Sequence, residues 1–422
     1  MAASAGRVSV RHAHRVLIVL GLAAGPVVAL GLARFAYSLL LPTMRSDLGW
    51  GFTAAGAMNS ANALGYMIGA VATGPVVARF GARNPFLIGL VLTTLMLGAS
   101  AGTGNLGVLL ALRLVVGVTG ALVFVAGTGL ANRIAHESGS GATALLGLYF
   151  AGGGAGIVLS AALVPPVVDR GGDSWRAGWL VLTAASVAAL GAAFPAALRC
   201  PDVHPAPSGR MLGWPVRDFT PSFIAYAFFG AGYIAYITFI VAYLKADGAG
   251  PHTIAGFWAV LGAAGVLTGF AWGPVLNALR GGHGLAVVLA LTAFGAVLPP
   301  ALAGSRTADY VSAVCFGGSF LAVVTAVTNL TRRGLPPAQV PAGIAIATVC
   351  FSVGQAVGPV LAGALSQGAS GTRAGLWLGV AFLGAGSVVA LVQEEFRAPP
   401  VLVSQKHPPG EAPPRPAEKI YL

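Results

Sequence analysis

The sequence predicts an all-α polytopic membrane protein, with twelve transmembrane helices in two six-helix halves. Three observations predict it. The 422 residues are 56% hydrophobic and only 9% charged, with mean hydropathy +0.82, too little polar surface to coat soluble domains of that size. Twelve apolar runs, each long enough to cross a hydrocarbon core about 30 Å thick, fill most of the chain. The longest interior break, Arg199 to Asp218, follows the sixth run and holds Pro201, Pro205, Pro207 and Pro215 with three arginines, the composition of a linker.

In chain order the runs cover residues 16–41, 54–78, 85–103, 106–130, 143–166 and 177–198, then 220–244, 254–279, 284–304, 310–330, 342–366 and 374–392. Charged or Pro/Gly-rich breaks bound each of them. The chain thus divides into a short N-terminal tail (1–15), a first half (16–198), a linker (199–219), a second half (220–392) and a Pro-rich, charged tail (393–422) expected to be disordered. Arg11, Arg15 and the small residues up to Ala33 also fit a cleavable signal peptide. Eleven further runs follow, and cleavage would leave Arg34 at a new N-terminus, so an uncleaved first helix is the simpler expectation.

The net charge of +12 belongs to topology. There is no basic run longer than Arg332-Arg333 and no aromatic-basic interleaving, which argues against nucleic acid as a partner. With the N-terminus inside, 16 of the 24 Lys and Arg lie on the inner side, six lie outside, and Arg34 and Arg113 lie within runs. This predicts a multi-pass protein of the cell membrane with both termini cytoplasmic. Cys200, Cys315 and Cys350 form neither a disulfide framework nor a zinc spacing, and no metal or cofactor is expected.

The halves resemble each other. Gly74-Pro75-Val76 closes the second run and Gly273-Pro274-Val275 the eighth; Gly152 to Gly156 in the fifth run answers Gly354 to Gly358 in the eleventh. The two offsets nearly agree, as a duplicated six-helix unit requires.

Between the second and third runs, Gly74-Pro75-Val76-Val77-Ala78-Arg79-Phe80-Gly81-Ala82-Arg83 resembles the G-x-x-x-D-R-x-G-R-R motif of the major facilitator superfamily. It departs at Ala78, where most members carry an aspartate, so the role of that carboxylate does not transfer. Arg113 to Gly117 resembles the superfamily's R-x-x-x-G element, and Gly354-x-x-x-Gly358-Pro359 its glycine-proline motif. Gly31 to Met44, Asp47-Leu48-Gly49 and Gly65 to Gly69 are similar to the opening of the YbfB/YjiJ group of MFS-type transporters. The resemblance covers about residues 15–395. It implies the twelve-helix transporter fold, a secondary carrier with a small-molecule solute, and gating by Gly74, Arg79, Gly81, Arg83, Gly354, Gly358 and Pro359. Arg79 and Arg83 would look the same as ordinary positive-inside anchors.

Ionisable groups inside a membrane cost about 2.5–3.5 kcal/mol on insertion scales and are functional candidates. Arg34 lies seven residues before Leu41, and Arg113 seven after Leu106, so both sit about 10 Å below one surface. Arg34 shares a face with Tyr37 and Ser38. Two guanidiniums with hydroxyl neighbours suit a carboxylate, sulfonate or phosphate; the alternative is that they bond helix carbonyls and hold the bundle. Asn59, Asn62, Tyr149, Asn329 and Gln355 complete a candidate substrate cavity, and Tyr233 and Tyr236 could stack an organic solute, although each also suits helix packing. All twelve acids lie outside the runs, and the histidines lie in loops, tails or at a run's edge. Proton antiport of cations is therefore disfavoured, while anion exchange, facilitated diffusion or symport of a protonated anion stay open. No Gly-Lys-Ser/Thr follows the glycines of the fifth run, so nucleotide-driven pumping is not supported.

The sequence thus reads as a monomeric, non-enzymatic carrier of a small anionic or amphiphilic solute working by alternating access. Efflux of drugs or secondary metabolites is the first rival. A membrane enzyme using Asp169 and Asp173, or a sensor, are the distant ones.

Overall fold

The computed structural model describes residues 2–138, 141–204, 216–336 and 339–395. Among these are twelve helices long and apolar enough to cross a membrane, and no strand. Only helices satisfy every backbone group within one segment in hydrocarbon. In chain order they are α1 (Ala13–Asp47), α2 (Phe52–Phe80), α3 (Arg83–Ala101), α4 (Leu106–His136), α5 (Ala142–Leu163) and α6 (Ser174–Arg199). After the linker come α7 (Thr220–Ala246), α8 (Pro251–Ala278), α9 (His283–Ala301), α10 (Arg306–Gly334), α11 (Val340–Leu365) and α12 (Thr372–Leu391).

The residues read as an N-terminal tail are already helical from Ala2. Pro205, Pro207, Arg210 and Pro215 of the linker, and the tail beyond Glu395, lie outside the described residues. The start of that tail is not free: buried Gln393 accepts from Ser222 Oγ at 2.8 Å and donates to the Asp218 carbonyl at 2.9 Å, tying it to the foot of α7.

Small residues set the close packing. A Cβ on Gly152 or Gly156 of α5 would strike Ala23, Val27 or Gly31 of α1, and one on Gly354 or Gly358 of α11 would strike Ala227 or Ala231 of α7. The glycines that match in sequence therefore make equivalent contacts, α5 on α1 and α11 on α7, as small-residue helix interfaces do. The two sets of six meet along α2 with α11 and α5 with α8. Gly56 lies against the Pro359 carbonyl, Gly363 against Phe52, and Gly154 against Gly262 and Val266.

One asymmetry decides the shape. At the face opposite the N-terminus, Tyr37–Asp47 of α1 packs on α7, whereas α4 and α10 make no comparable contact at the other face. Neutral side chains close the far face: Gln367 donates to Thr53, Asn59 to Thr238 (2.7 Å) and Trp258 to Ser160 (3.1 Å).

Helix α1 is not uniform. After Pro26 it widens into a π-helix over Val27–Phe35, with the Ala36 amide bonded five residues back to Gly31 (3.0 Å), and then returns to α-helix from Tyr37. Such wide turns shift the facing of side chains and occur often at functional sites. Arg34 sits in this one.

Candidate functional site

The two membrane arginines stand at one level. The Arg113 guanidinium, on α4, reaches the carbonyl of Ala33, the residue before Arg34. Each of its three nitrogens is bonded: Nη1 donates to Ala33, Nη2 to Asn59 Oδ1 (3.0 Å) and Nε to the Met58 carbonyl (3.5 Å). Tyr37 and Trp179 cover its faces at 5.2 and 5.9 Å. Asn62 donates to the Arg113 carbonyl, and Asn59 passes the chain on to Thr238 of α7. Arg113 therefore serves as the hub of a polar network linking α1, α2, α4 and α7.

Arg34 has none of this. It is 4% exposed, and its Nε and Nη2 are buried without a hydrogen-bond partner. Its one described neighbour is the ring of Tyr66 on α2, 5.2 Å from the guanidinium carbon. Among the described ion pairs neither arginine takes part, so the level carries two positive centres and no counter-charge. Tyr37, expected on the Arg34 face, instead donates to Ala55 (2.8 Å) and lies under Arg113, because the π-helix ends between the two residues. Ser38 Oγ stays buried and unbonded.

Next to the Arg34 segment is an aromatic ladder, which Phe35 meets edge-on at Phe320 (5.9 Å). Tyr233 of α7 lies nearly parallel to Phe229 (4.7 Å between centroids), to Phe351 of α11 (5.7 Å) and to Phe320 of α10 (6.1 Å). Tyr226 stacks on the other side of Phe351 at 4.6 Å. Gln355 donates to the Tyr233 hydroxyl while its Oε1 is buried and unbonded. Tyr233 and Gln355 are thus brought together, and Phe320 joins them to Phe35, the residue after Arg34.

Other expected residues are not. Tyr236 pairs with Ser312 (2.6 Å) and stacks on Phe316, Tyr149 donates to Phe124 (3.0 Å) inside the first half, and Asn329 lines a small crevice with Leu276 and Arg333 at the terminal face. The acids are not all outside the spans: Asp309, in the first turn of α10, is buried at 2% exposure beside Arg306 (3.1 Å), itself 3.5 Å from Asp247. The fourth residue of a helix is hard to place from hydropathy alone. Sequence reasoning also missed Tyr66, Phe320 and Phe351, whose only signal was an aromatic ring in a span.

In the loop between α2 and α3 the missing aspartate has a substitute. Asp202, from the start of the linker, accepts from the amides of Ala82 (2.8 Å) and Arg83 (3.0 Å) and so caps α3 from outside it. Partial burial opposes its charge, but these amides, that of Val203 and the Arg83 guanidinium outweigh it and hold the carboxyl below the usual carboxylate range. Gly81, at φ +74°, turns the chain where any Cβ would meet the Asp202 carboxylate. Arg83 donates to the carbonyls of Ala197 (3.1 Å) and Cys200 (2.6 Å). Arg79 is exposed against Phe80, and nothing lies near a Cβ built on Gly74.

Twelve apolar helices in two equivalent sets, meeting around buried polar and aromatic side chains, define a multi-pass transporter of the major facilitator kind. The chain belongs to the family described as the uncharacterised MFS-type transporter YbfB, which residues 26–391 match. It is similar in structure to a variant of the nucleoside transporter NupG (TM-score 0.69, 13% identity, 89% of this chain and 98% of that one). It is also similar to a bacterial homolog of the human lysosomal transporter Spinster in an inward-facing, unoccupied conformation (TM-score 0.63, 15% identity, 89% and 96%). No curated protein matches it in sequence.

Proposed function

We propose that this carrier moves a small organic anion, held by Arg34 at the level where the halves meet, through alternating access. The observation that carries the reading is the state of Arg34: a buried guanidinium with two donor atoms unbonded, beside a second arginine and no carboxylate. A buried charge that costs several kcal/mol persists where a ligand completes its bonding. Arg113, with its bonds already made, holds the bundle and adds to the positive potential. A neutral solute would leave Arg34 unpaired. No carboxylate or histidine is described in contact with it, which supports exchange, facilitated flux or a proton carried on the solute.

The residues 16–198 and 220–392 act as the two rocking units, and the carrier works as a monomer in the cell membrane. With the termini in the cytoplasm, as the basic residues suggest, the conformation is closed outside and open inside. Its similarity to the inward-facing Spinster homolog supports this reading. Gly354, Gly358 and Pro359 serve as close-contact points of α11, and the Gly74–Arg83 loop braces the cytoplasmic end of the first unit. The aromatic ladder favours one alternative, efflux of amphiphilic drugs or secondary metabolites.

The test is a thermal-shift screen of the purified carrier against carboxylates, sulfonates, amino acids, sugars and cationic drugs, followed by flux in proteoliposomes. Stabilisation by anions that Arg34→Ala abolishes is the expected result. Stabilisation only by cationic or neutral hydrophobic compounds would replace it with the efflux reading.

A further inference from the structure

Two buried polar groups near Tyr233 lack partners, and they are of opposite kind. Arg34 offers donors and a positive charge from α1; Gln355 offers an acceptor, Oε1, from α11. Both side chains are more than nine-tenths buried. Between hydrocarbon walls an unbonded polar atom is expensive, and the protein's own side chains leave both unsatisfied. They border the same rings: Gln355 is bonded to the Tyr233 hydroxyl, Tyr233 lies 6.1 Å from Phe320, and Phe35, the residue after Arg34, meets Phe320 edge-on at 5.9 Å. The third element is the ladder itself. Phe351 lies within 9° of the Tyr233 plane and Phe320 within 24°. Their parallel faces come from three helices, α7, α10 and α11, so a planar ring can join them by offset stacking.

We infer that the solute is a planar aromatic acid that carries a hydrogen-bond donor away from its anionic group: the anion on Arg34, the ring on the Tyr233 ladder, the donor on Gln355 Oε1. This rests on the anion-carrier reading above and narrows it. An inorganic anion brings no ring to the ladder. An aliphatic acid leaves the ladder and Gln355 without complements, and a ring lacking the donor leaves Oε1 buried and unbonded.

The full-length carrier, purified in detergent, is titrated by calorimetry and thermal shift with 3- and 4-hydroxybenzoate, 4-hydroxyphenylacetate, the methyl ether of each, cyclohexanecarboxylate and hexanoate. One hydroxylated aromatic acid should bind about tenfold or more tightly than both its methyl ether and cyclohexanecarboxylate, the size expected for one buried acceptor left unpaired. Gln355→Leu should erase the difference between acid and ether while keeping Arg34-dependent binding; Gln355→Met serves if the leucine variant does not fold. Arg34→Ala should weaken binding of every acid about a hundredfold. Equal Arg34-dependent binding of aromatic and alicyclic acids, or an acid–ether difference that survives loss of Gln355, would overturn the aromatic-donor assignment and leave the anion reading standing. Binding of no acid, or acid binding indifferent to Arg34→Ala, would overturn both.

Discussion

Arg34 and Arg113 are the same residue type at the same level of one bundle, each at least 96% buried, yet their surroundings differ completely. Every nitrogen of the Arg113 guanidinium donates to a described acceptor and two rings cover it; Arg34 has one ring and two orphan donors. The difference separates a guanidinium whose three nitrogens all donate within the chain from one that is left unfinished, and the proposed solute site is built on the unfinished one.

Several substitutions would break or sharpen that contrast. The largest effect is expected at the hub. Arg113→Ala leaves the Ala33 carbonyl and Asn59 Oδ1 without their donor, and at about 1–3 kcal/mol for each unpaired acceptor thermal unfolding in detergent should report a loss of about 2–6 kcal/mol. Arg34→Ala should do the opposite to stability, leaving the melting temperature unchanged or higher. Its flux and solute affinity should fall about a hundredfold, the worth of a lost charge-assisted bidentate contact. If the two variants behaved alike in both measurements, the distinction between hub and site would be gone.

A third arginine sharpens the contrast. Arg83, bonded to the carbonyls of Ala197 and Cys200 beside the Asp202 cap, is a finished site outside the membrane. Asp202→Ala should cost about 1 kcal/mol of thermal stability with solute affinity unchanged. The Asp202 carboxyl is held below its ordinary value, so its contribution is fully present above pH 3.8 and is lost as pH falls through the lower folded value. Asp202→Asn should flatten that acid limb of a stability–pH profile. The smallest effect is expected where the hub network crosses between the halves: Thr238→Val removes the partner of Asn59 and should cost about 0.6 kcal/mol. A larger accessible fraction of a cysteine probe placed at the far face would show that the bond helps hold that face closed.

The sequence determined a great deal here, because hydrocarbon imposes a simple rule. Twelve apolar runs can only be helices, and matched glycines in the fifth and eleventh runs pointed to a duplicated six-helix unit, in which they prove to make equivalent contacts on α1 and α7. The two arginines were also visible as rare charges in apolar surroundings, and their common depth followed from helix rise. What the chain alone left open was which of them was satisfied. That depends on partners far away in sequence: Asn59 is 54 residues from Arg113, and Ala33 is 80. A π-helical segment, invisible to a 3.6-residue reading, sent Tyr37 to Arg113 and left Arg34 to the aromatic rings. The carboxylate that caps α3 was likewise out of reach of a local reading, since it comes from Asp202, some 120 residues on from Ala82. Hydropathy is a property of single residues and short windows, and so it is legible in one dimension. Satisfaction of a buried polar group is a property of pairs, and only the packed tertiary structure decides it.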